Sequence, residues 1–367
     1  MNKTLLSALE QVRNTLPISL IDDEGYARLV WIAETIPFEL STFWGFECRL
    51  GESDAKVDIL FEIRKQSRGR SILAGHIPSG LDEMCVQWPA WKSLRKFASL
   101  WADSAHEFSR VIRNIWLEFD AASAENQVQL QKVLRQPCIF FGPDARILEK
   151  SQTPASIREA LNALDMPDAG GGNLDTFCAA LPQEARIFQV GLMLARPNPG
   201  VRICVYRLKT EEVCRWLTTL DWQGDTTMLA NLLQQLPLNL DAFAIDLNLT
   251  ADGPAPKIGL ECYMDWLVND PAQWKPLLDL VRETHLCLAS KYEGLLAFQG
   301  VTRAPAEWQK PSEGVAYSGL YRKIHHIKFT IDANRVSEAK AYLAVNHPGL
   351  DLRAIQNKHA GGAWLIE

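Results

Sequence analysis

Ala242-Phe243-Ala244-Ile245-Asp246-Leu247-Asn248-Leu249, a turn at Ala251-Asp252-Gly253-Pro254, and Lys257-Ile258-Gly259-Leu260-Glu261-Cys262-Tyr263-Met264 spell a β-hairpin. In the second arm Ile258, Leu260 and Cys262 alternate with Lys257, Gly259, Glu261 and Tyr263. A period of two puts the first set on one face and the second on the other. Three more alternating hairpins precede this one: Gly45–Leu50 with Val57–Arg64, Ile112–Ala121 with Pro137–Phe141, and Ile187–Ala195 with Val201–Leu208. The first turns at Gly51–Asp54 and the third at Arg196-Pro197-Asn198-Pro199-Gly200. A ninth strand, Ile324–Ile331, has no hairpin partner, and the tail Ala363–Ile366 is a candidate to pair with it.

Helices separate the hairpins. Apolar residues recur at three and four in Leu5–Leu16 and Glu24–Ile36, and Asp22 or Asp23 can cap the second. Pro89–Ala102 opens with proline in its first turn, where the missing amide proton matters least. Ser156–Leu164 with Leu174–Leu181, Glu211–Leu220 with Thr226–Leu236, and Pro271–Thr284 with Ala289–Ala297 form successive pairs. The connection Ala122–Gln136 reads as partly helical and Ser337–Ala344 as a short helix. The fold expected is α+β: one closed antiparallel barrel of about ten strands with helices outside, because a twisted sheet of that width closes or splits. A single unit over residues 1–367 is the first reading; two α+β domains divided near Asp165–Gly172 are the second.

Composition narrows the function classes. A formal charge of −6 argues against general affinity for nucleic-acid phosphates. No apolar run approaches the ~20 residues of a membrane span, and Met1–Pro17 lacks the build of a signal peptide. A cytoplasmic address is expected. The eight cysteines form no Cys-x-x-Cys pair, so a zinc ribbon or dithiol redox motif is not expected. Trp91, Trp101 and Trp216 have core spacing on helices, whereas Trp44 and Trp116 occupy strand positions able to line a cavity. There is no phosphate loop, dinucleotide fingerprint, zinc-protease helix or nucleophile elbow. Asp22-Asp23-Glu24 is better explained by helix capping than as an aspartate-rich motif.

The polar phases carry the candidate site. They are Glu47 and Arg49; Asp58 and Glu62; Trp116, Glu118 and Asp120; Arg202, Cys204 and Tyr206; Asp246; Lys257, Gly259, Glu261 and Tyr263; and His326, Lys328 and Thr330. Adjacent on a regular strand, His325 and His326 would face opposite ways and could not share a metal. His326 shares its phase with Lys328 and is the better functional candidate.

A barrel of about ten antiparallel strands built from repeated helix–strand–strand–helix units resembles the ABBA, or PT-barrel, prenyltransferases. These include aromatic and indole prenyltransferases and cyanobactin-type enzymes that act on peptides. The resemblance is architectural and spans the chain. It implies a prenyl diphosphate in the lumen, held by Arg, Lys and Tyr, and an aromatic or peptide acceptor aided by an acid. Carried onto this sequence, Arg49, Arg202, Tyr206, Lys257, Tyr263 and Lys328 are the expected diphosphate ligands. Glu118 is the expected acid, with Trp116 and Tyr263 flanking the allyl cation and His326 available for acid–base work. The resemblance leaves Mg²⁺ dependence open. The inward acids Asp58, Glu62, Asp246 and Glu261 depart from a simple anion site and must be paired or bind metal if diphosphate enters. Another peptide-tailoring enzyme on the same barrel, or a non-catalytic binding barrel, are the rival readings.

Overall fold

A computed structural model gives the structure of the chain and describes residues 3–194, 200–268, 270–305, 308, 315–317, 319–347 and 349–351. Among the described residues there are thirteen strands: β1 (Phe43–Arg49), β2 (Val57–Arg64), β3 (Ile112–Phe119), β4 (Cys138–Pro143), β5 (Arg186–Met193), β6 (Val201–Tyr206), β7 (Ala242–Thr250), β8 (Gly253–Tyr263), β9 (Gly300–Arg303), β10 (Val315–Tyr317), β11 (Gly319–Asp332), β12 (Arg335–Asn346) and β13 (Gly349–Asp351). Strands β1 to β8 pair in sequence order, β8 pairs with β11, β11 with β12, and β12 returns to β1. Ten strands therefore close an antiparallel barrel. β9 adds to the first four residues of β11, beyond the reach of β8, and β10 pairs with β13 in a small separate sheet.

The closing strand corrects one expectation. Ser337–Ala344 is not a helix but lies inside β12. Its Ala, Glu and Lys content favours a helix. Yet Glu338, Lys340 and Tyr342 alternate with Ala339, Ala341 and Leu343, and strands on both sides offer backbone partners. Pairing overrides propensity here. The turn is tight, with Ala333 in the left-handed region at φ 51°. The strand Ile324–Ile331 thus does have a hairpin partner. The tail Ala363–Ile366 and the turn residues Arg196–Pro199 lie outside the described residues.

The alternation sorts the barrel's two faces. Ile203, Val205, Ile245, Leu247, Leu260 and Phe329 are fully or almost fully buried and join one apolar core with the outer helices. Trp91 and Trp101 of the helix Pro89–Ala102 belong to it, as does Trp216. The indole N–H groups of Trp91 and Trp101 find partners on burial. Trp91 donates to Leu134 O at 2.8 Å and Trp101 to Ile112 O at 2.9 Å. Each such side chain contributes on the order of 1.5–3 kcal/mol by leaving water. Trp44 also sits in this outer core, donating to His347 Nδ1 at 3.1 Å, so it does not line the lumen. Asp22 caps the helix Asp23–Ala33 by accepting from Gly25 N–H at 2.7 Å, the role expected of it. Among the described residues no helix is long and apolar enough to cross a membrane.

Candidate active site in the barrel lumen

The opposite phase of each strand points inward, and its charges meet. On β1, Arg49 lies 2.8 Å from Asp58 of β2, 3.7 Å from Glu47 and 3.8 Å from Glu338 of β12. Lys340 of β12 donates to Glu47 at 2.7 Å, and the Tyr342 hydroxyl donates to the other oxygen of Glu47. Across the lumen wall, Lys328 of β11 is 2.5 Å from Asp246 of β7 and 3.5 Å from Glu261 of β8. Arg202 of β6 reaches Asp246 at 3.3 Å and donates to Asn248 Oδ1 at 3.0 Å. The Tyr263 hydroxyl donates to Glu261 at 2.5 Å.

Register joins these groups into a row. Arg49 is the cross-strand partner of Lys340, and Lys340 that of Lys328, so three cations stand side by side on β1, β12 and β11. Like charges directly opposite one another destabilise a sheet unless something negative is shared between them. In this structure the carboxylates supply it. Glu47, Asp58, Asp246, Glu261 and Glu338 face Arg49, Arg202, Lys328 and Lys340, five acids to four bases. The buried atoms Arg49 Nη1 and His326 Nε2 keep no hydrogen-bond partner among the described residues.

Burial sets the protonation states. It works against the Lys328 ammonium, but Asp246 and Glu261 hold the pKa above its ordinary value despite Arg202. It works against the Asp246 carboxylate, which Lys328 and Arg202 nevertheless keep below the usual range. Glu261 goes the other way: burial, aided by the Asp246 charge, raises it against the pull of Lys328. Burial likewise pushes Asp58 up to about 6, with Arg49 opposing and Glu47 and Asp120 adding. Glu47 is held well below its ordinary value, because Lys340 and Arg49 outweigh burial.

One stretch of the wall is aromatic. Phe43 of β1, Trp116 of β3, Tyr263 of β8 and Trp266 just after β8 surround His325, with ring centroids 5.7–6.3 Å away. Trp116 also packs on Phe140, Met193 and Cys138, a small apolar cluster separate from the outer core. His326 stacks on Tyr342 at 4.0 Å and lies beside Tyr263 at 4.9 Å. The two imidazoles do not face opposite ways. A bulge between Ile324 and His326 breaks the alternation, and His325 Nδ1 lies 2.7 Å from His326 Nδ1. Burial lowers the pKa of both, His325 to about 4, so both rings are neutral near pH 7.

The expected site residues divide accordingly. Arg49, Arg202, Lys328, Tyr263, His326, Trp116 and Glu118 stand on the inward phase. Tyr206 shares that phase, its ring edge-on to Phe188 at 5.4 Å and beneath the Arg207 guanidinium. Lys257 does not join them: it is exposed near the β7–β8 turn, across from Asp332. Gly259 leaves room, but Asp246 and Lys328 fill it, since a Cβ there would come within 2.0 Å of Asp246 Oδ2 and 2.4 Å of Lys328 Cε. Lys340, Tyr342, His325, Phe43 and Trp266 are additions that sequence reasoning missed. The alternation of Glu338, Lys340 and Tyr342 was the available signal for two of them. Among the described residues no three His, Cys, Asp or Glu side chains come together as a metal site. The carboxylates face lysine and arginine instead, an arrangement that does not fit Mg²⁺.

No family model matches this chain, and no curated protein does. Solved structures do. The apo form of the prenyltransferase PriB superposes with a TM-score of 0.58 at 14% identity, covering 94% of this chain and 96% of that one. PriB with product diphosphate gives 0.58 at 16%, covering 93% and 96%. The 5-dimethylallyl tryptophan synthase of Streptomyces coelicolor, in complex with DMASPP and Trp, gives 0.55 at 14%, covering 94% and 95%. The chain has the PT-barrel fold of these aromatic prenyltransferases.

Proposed function

We propose that this chain transfers a prenyl group from a prenyl diphosphate to an electron-rich aromatic acceptor, a small molecule or a peptide side chain, within the lumen of one barrel unit. The observation that carries this reading is the row Arg49–Lys340–Lys328, with Arg202 beside it, in a barrel of the prenyltransferase fold. Negative charge develops on the diphosphate as its C–O bond breaks, and preorganised cations stabilise that charge in a water-poor site. Asp58 is raised, so it is the acid readiest to take a proton and release Arg49 to a ligand. Trp116, Phe43 and Tyr263 present ring faces to the allyl cation. Glu118 shares the inward phase with Trp116 and holds the acceptor's N–H or O–H. The new bond joins the prenyl C1 to the acceptor, diphosphate leaves, and the acceptor gives up one proton.

One observation favours a second reading, a binding barrel without diphosphate chemistry: each cation of the row already faces a carboxylate. Titration calorimetry with dimethylallyl diphosphate, followed by mass spectrometry of mixtures with tryptophan and tryptophan-containing peptides, separates the two. Binding with a mass gain of one prenyl unit supports the first. Neither binding nor product, also with geranyl diphosphate, sinks it.

A further inference from the structure

We propose that the His325–His326 pair is a proton relay, carrying the proton lost by the acceptor ring from the aromatic wall to the Glu261 carboxylate beside the cation row. The inference rests on the prenyl-transfer reading above. Its ground is a local departure from strand geometry. A regular β11 would send one imidazole to the outer core, whereas the bulge between Ile324 and His326 brings both ring nitrogens to 2.7 Å. Bulges re-aim side chains in this way, and they collect near active sites.

At that separation one Nδ1 donates and the other accepts. The neutral pair therefore has two arrangements. If His325 donates, its own Nε2 is a free base in the aromatic wall, and His326 carries its proton on Nε2. That nitrogen lies 3.9 Å from Glu261 Oε1. An ionised Glu261 attracts the proton and so selects this arrangement. The acceptor's proton then moves to His325 Nε2, the His325 Nδ1 proton moves to His326 Nδ1, and the His326 Nε2 proton moves to Glu261. One proton has crossed and neither ring is left charged. The pair ends in its other arrangement, and Glu261 is neutral.

The surroundings suit this path. The rings packed on the pair are Phe43, Trp116, Tyr263, Trp266 and Tyr342, a largely apolar surround. The charges facing His325 are Glu62 and Arg64, themselves paired at 2.7 Å. Those facing His326 are Lys328, Glu47 and Glu261. A cationic imidazole is disfavoured there, so the transfer is concerted once Glu261 has closed the 3.9 Å gap to His326 Nε2 to hydrogen-bond length. The far end is coupled to the leaving group: protonating Glu261 removes one of the two carboxylates from Lys328, freeing the ammonium for the departing diphosphate.

The test uses the full chain, dimethylallyl diphosphate, and tryptophan deuterated on its indole ring. In the wild type, proton loss is fast and ring deuteration leaves kcat nearly unchanged. In His326→Phe, which retains the stack on Tyr342, kcat falls by about 10²-fold, a primary isotope effect appears, and KM for the diphosphate stays within about threefold. A wild-type rate without an isotope effect in this variant overturns the relay alone. A second measurement needs no turnover or variant folding. In wild-type protein with ¹⁵N-labelled histidine, scalar coupling between the two Nδ1 atoms across the shared proton is expected. Its absence overturns the pair as a proton-sharing unit. Coupling without prenylated product overturns the prenyl-transfer reading and, with it, the relay's role.

Discussion

Lys328 and Lys340 face each other across β11 and β12, and each is held by carboxylates from a different side of the barrel. Lys328 leans on Asp246 and Glu261, and Lys340 on Glu47 and Glu338. The site is thus a self-neutralised cation row, and a diphosphate has to compete with its own protein for it.

That competition makes Lys340 the informative residue. Its side chain is 18% exposed against 8% for Lys328, so its removal disturbs the fold less. Lys340→Gln should weaken dimethylallyl diphosphate binding by about tenfold, or ~1.4 kcal/mol. Lys328→Met leaves Asp246 and Glu261 buried without their cation and should cost about 3–5 kcal/mol of stability. Calorimetry and thermal melts read the two effects. Unchanged diphosphate affinity in Lys340→Gln would remove the row from the binding site.

Glu261 should show the opposite sign for binding. Glu261→Gln keeps the shape beside Lys328 but withdraws a competing charge. Diphosphate affinity should rise severalfold while turnover falls, because the variant cannot receive the relayed proton. Weaker binding would show that Glu261 orders Lys328 for the ligand and does not compete with it.

The barrel was legible because period-two alternation survives in nearly every strand, from Val57–Arg64 to Lys257–Tyr263. Each inward residue of those strands follows from its phase. Two features escaped for distinct physical reasons. β12 is built from residues that favour helices, so only its alternation and its neighbours mark it as a strand. His325 turns inward through one extra residue in β11, and a one-residue slip inverts a face assignment without any mark in composition. Ion pairing within the lumen was foreseeable in kind from the inward acids. Which acid meets which cation depends on barrel closure.

Gly259 tests the packing of that closure. A methyl group there collides with Asp246 and Lys328 together. Gly259→Ala should lower stability by about 1–3 kcal/mol, the usual cost of overpacking, and weaken diphosphate binding by displacing Lys328. A melting temperature equal to wild type would mean that the Asp246–Lys328 pair has room to shift.

Asp58 predicts a pH dependence. Its folded pKa, about 6, lies above the ordinary value of 3.8, so the native state binds this proton more tightly than the unfolded chain. Its contribution is therefore most favourable below about pH 4 and is lost as pH rises through 6. Asp58→Asn should match wild type below about pH 4, gain relative stability between about pH 4 and 6, and keep that gain above. Glu47 is lowered and works in reverse: its contribution is present above pH 4.5 and fades in acid. Arg49 sits only 2.8 Å from Asp58, so a variant that loses ground with rising pH would show the ion pair prevailing over burial.

Glu118 separates chemistry from structure. It stands between Leu60 of β2 and Cys138 of β4, one inward step from Trp116, and its charge, after burial and Glu47, raises the Tyr342 pKa. An acid so placed either holds the acceptor or serves the lumen's charge balance. Glu118→Gln preserves shape and removes both the charge and the base. Loss of a positioned base typically costs on the order of 10²–10⁴ in rate, so single-turnover rates should fall that far while dimethylallyl diphosphate affinity stays within a few fold. If the role is charge balance alone, the melting temperature moves and the rate per folded molecule does not. Measuring both on one preparation decides between them, and a normal rate in a destabilised variant would assign Glu118 to the scaffold.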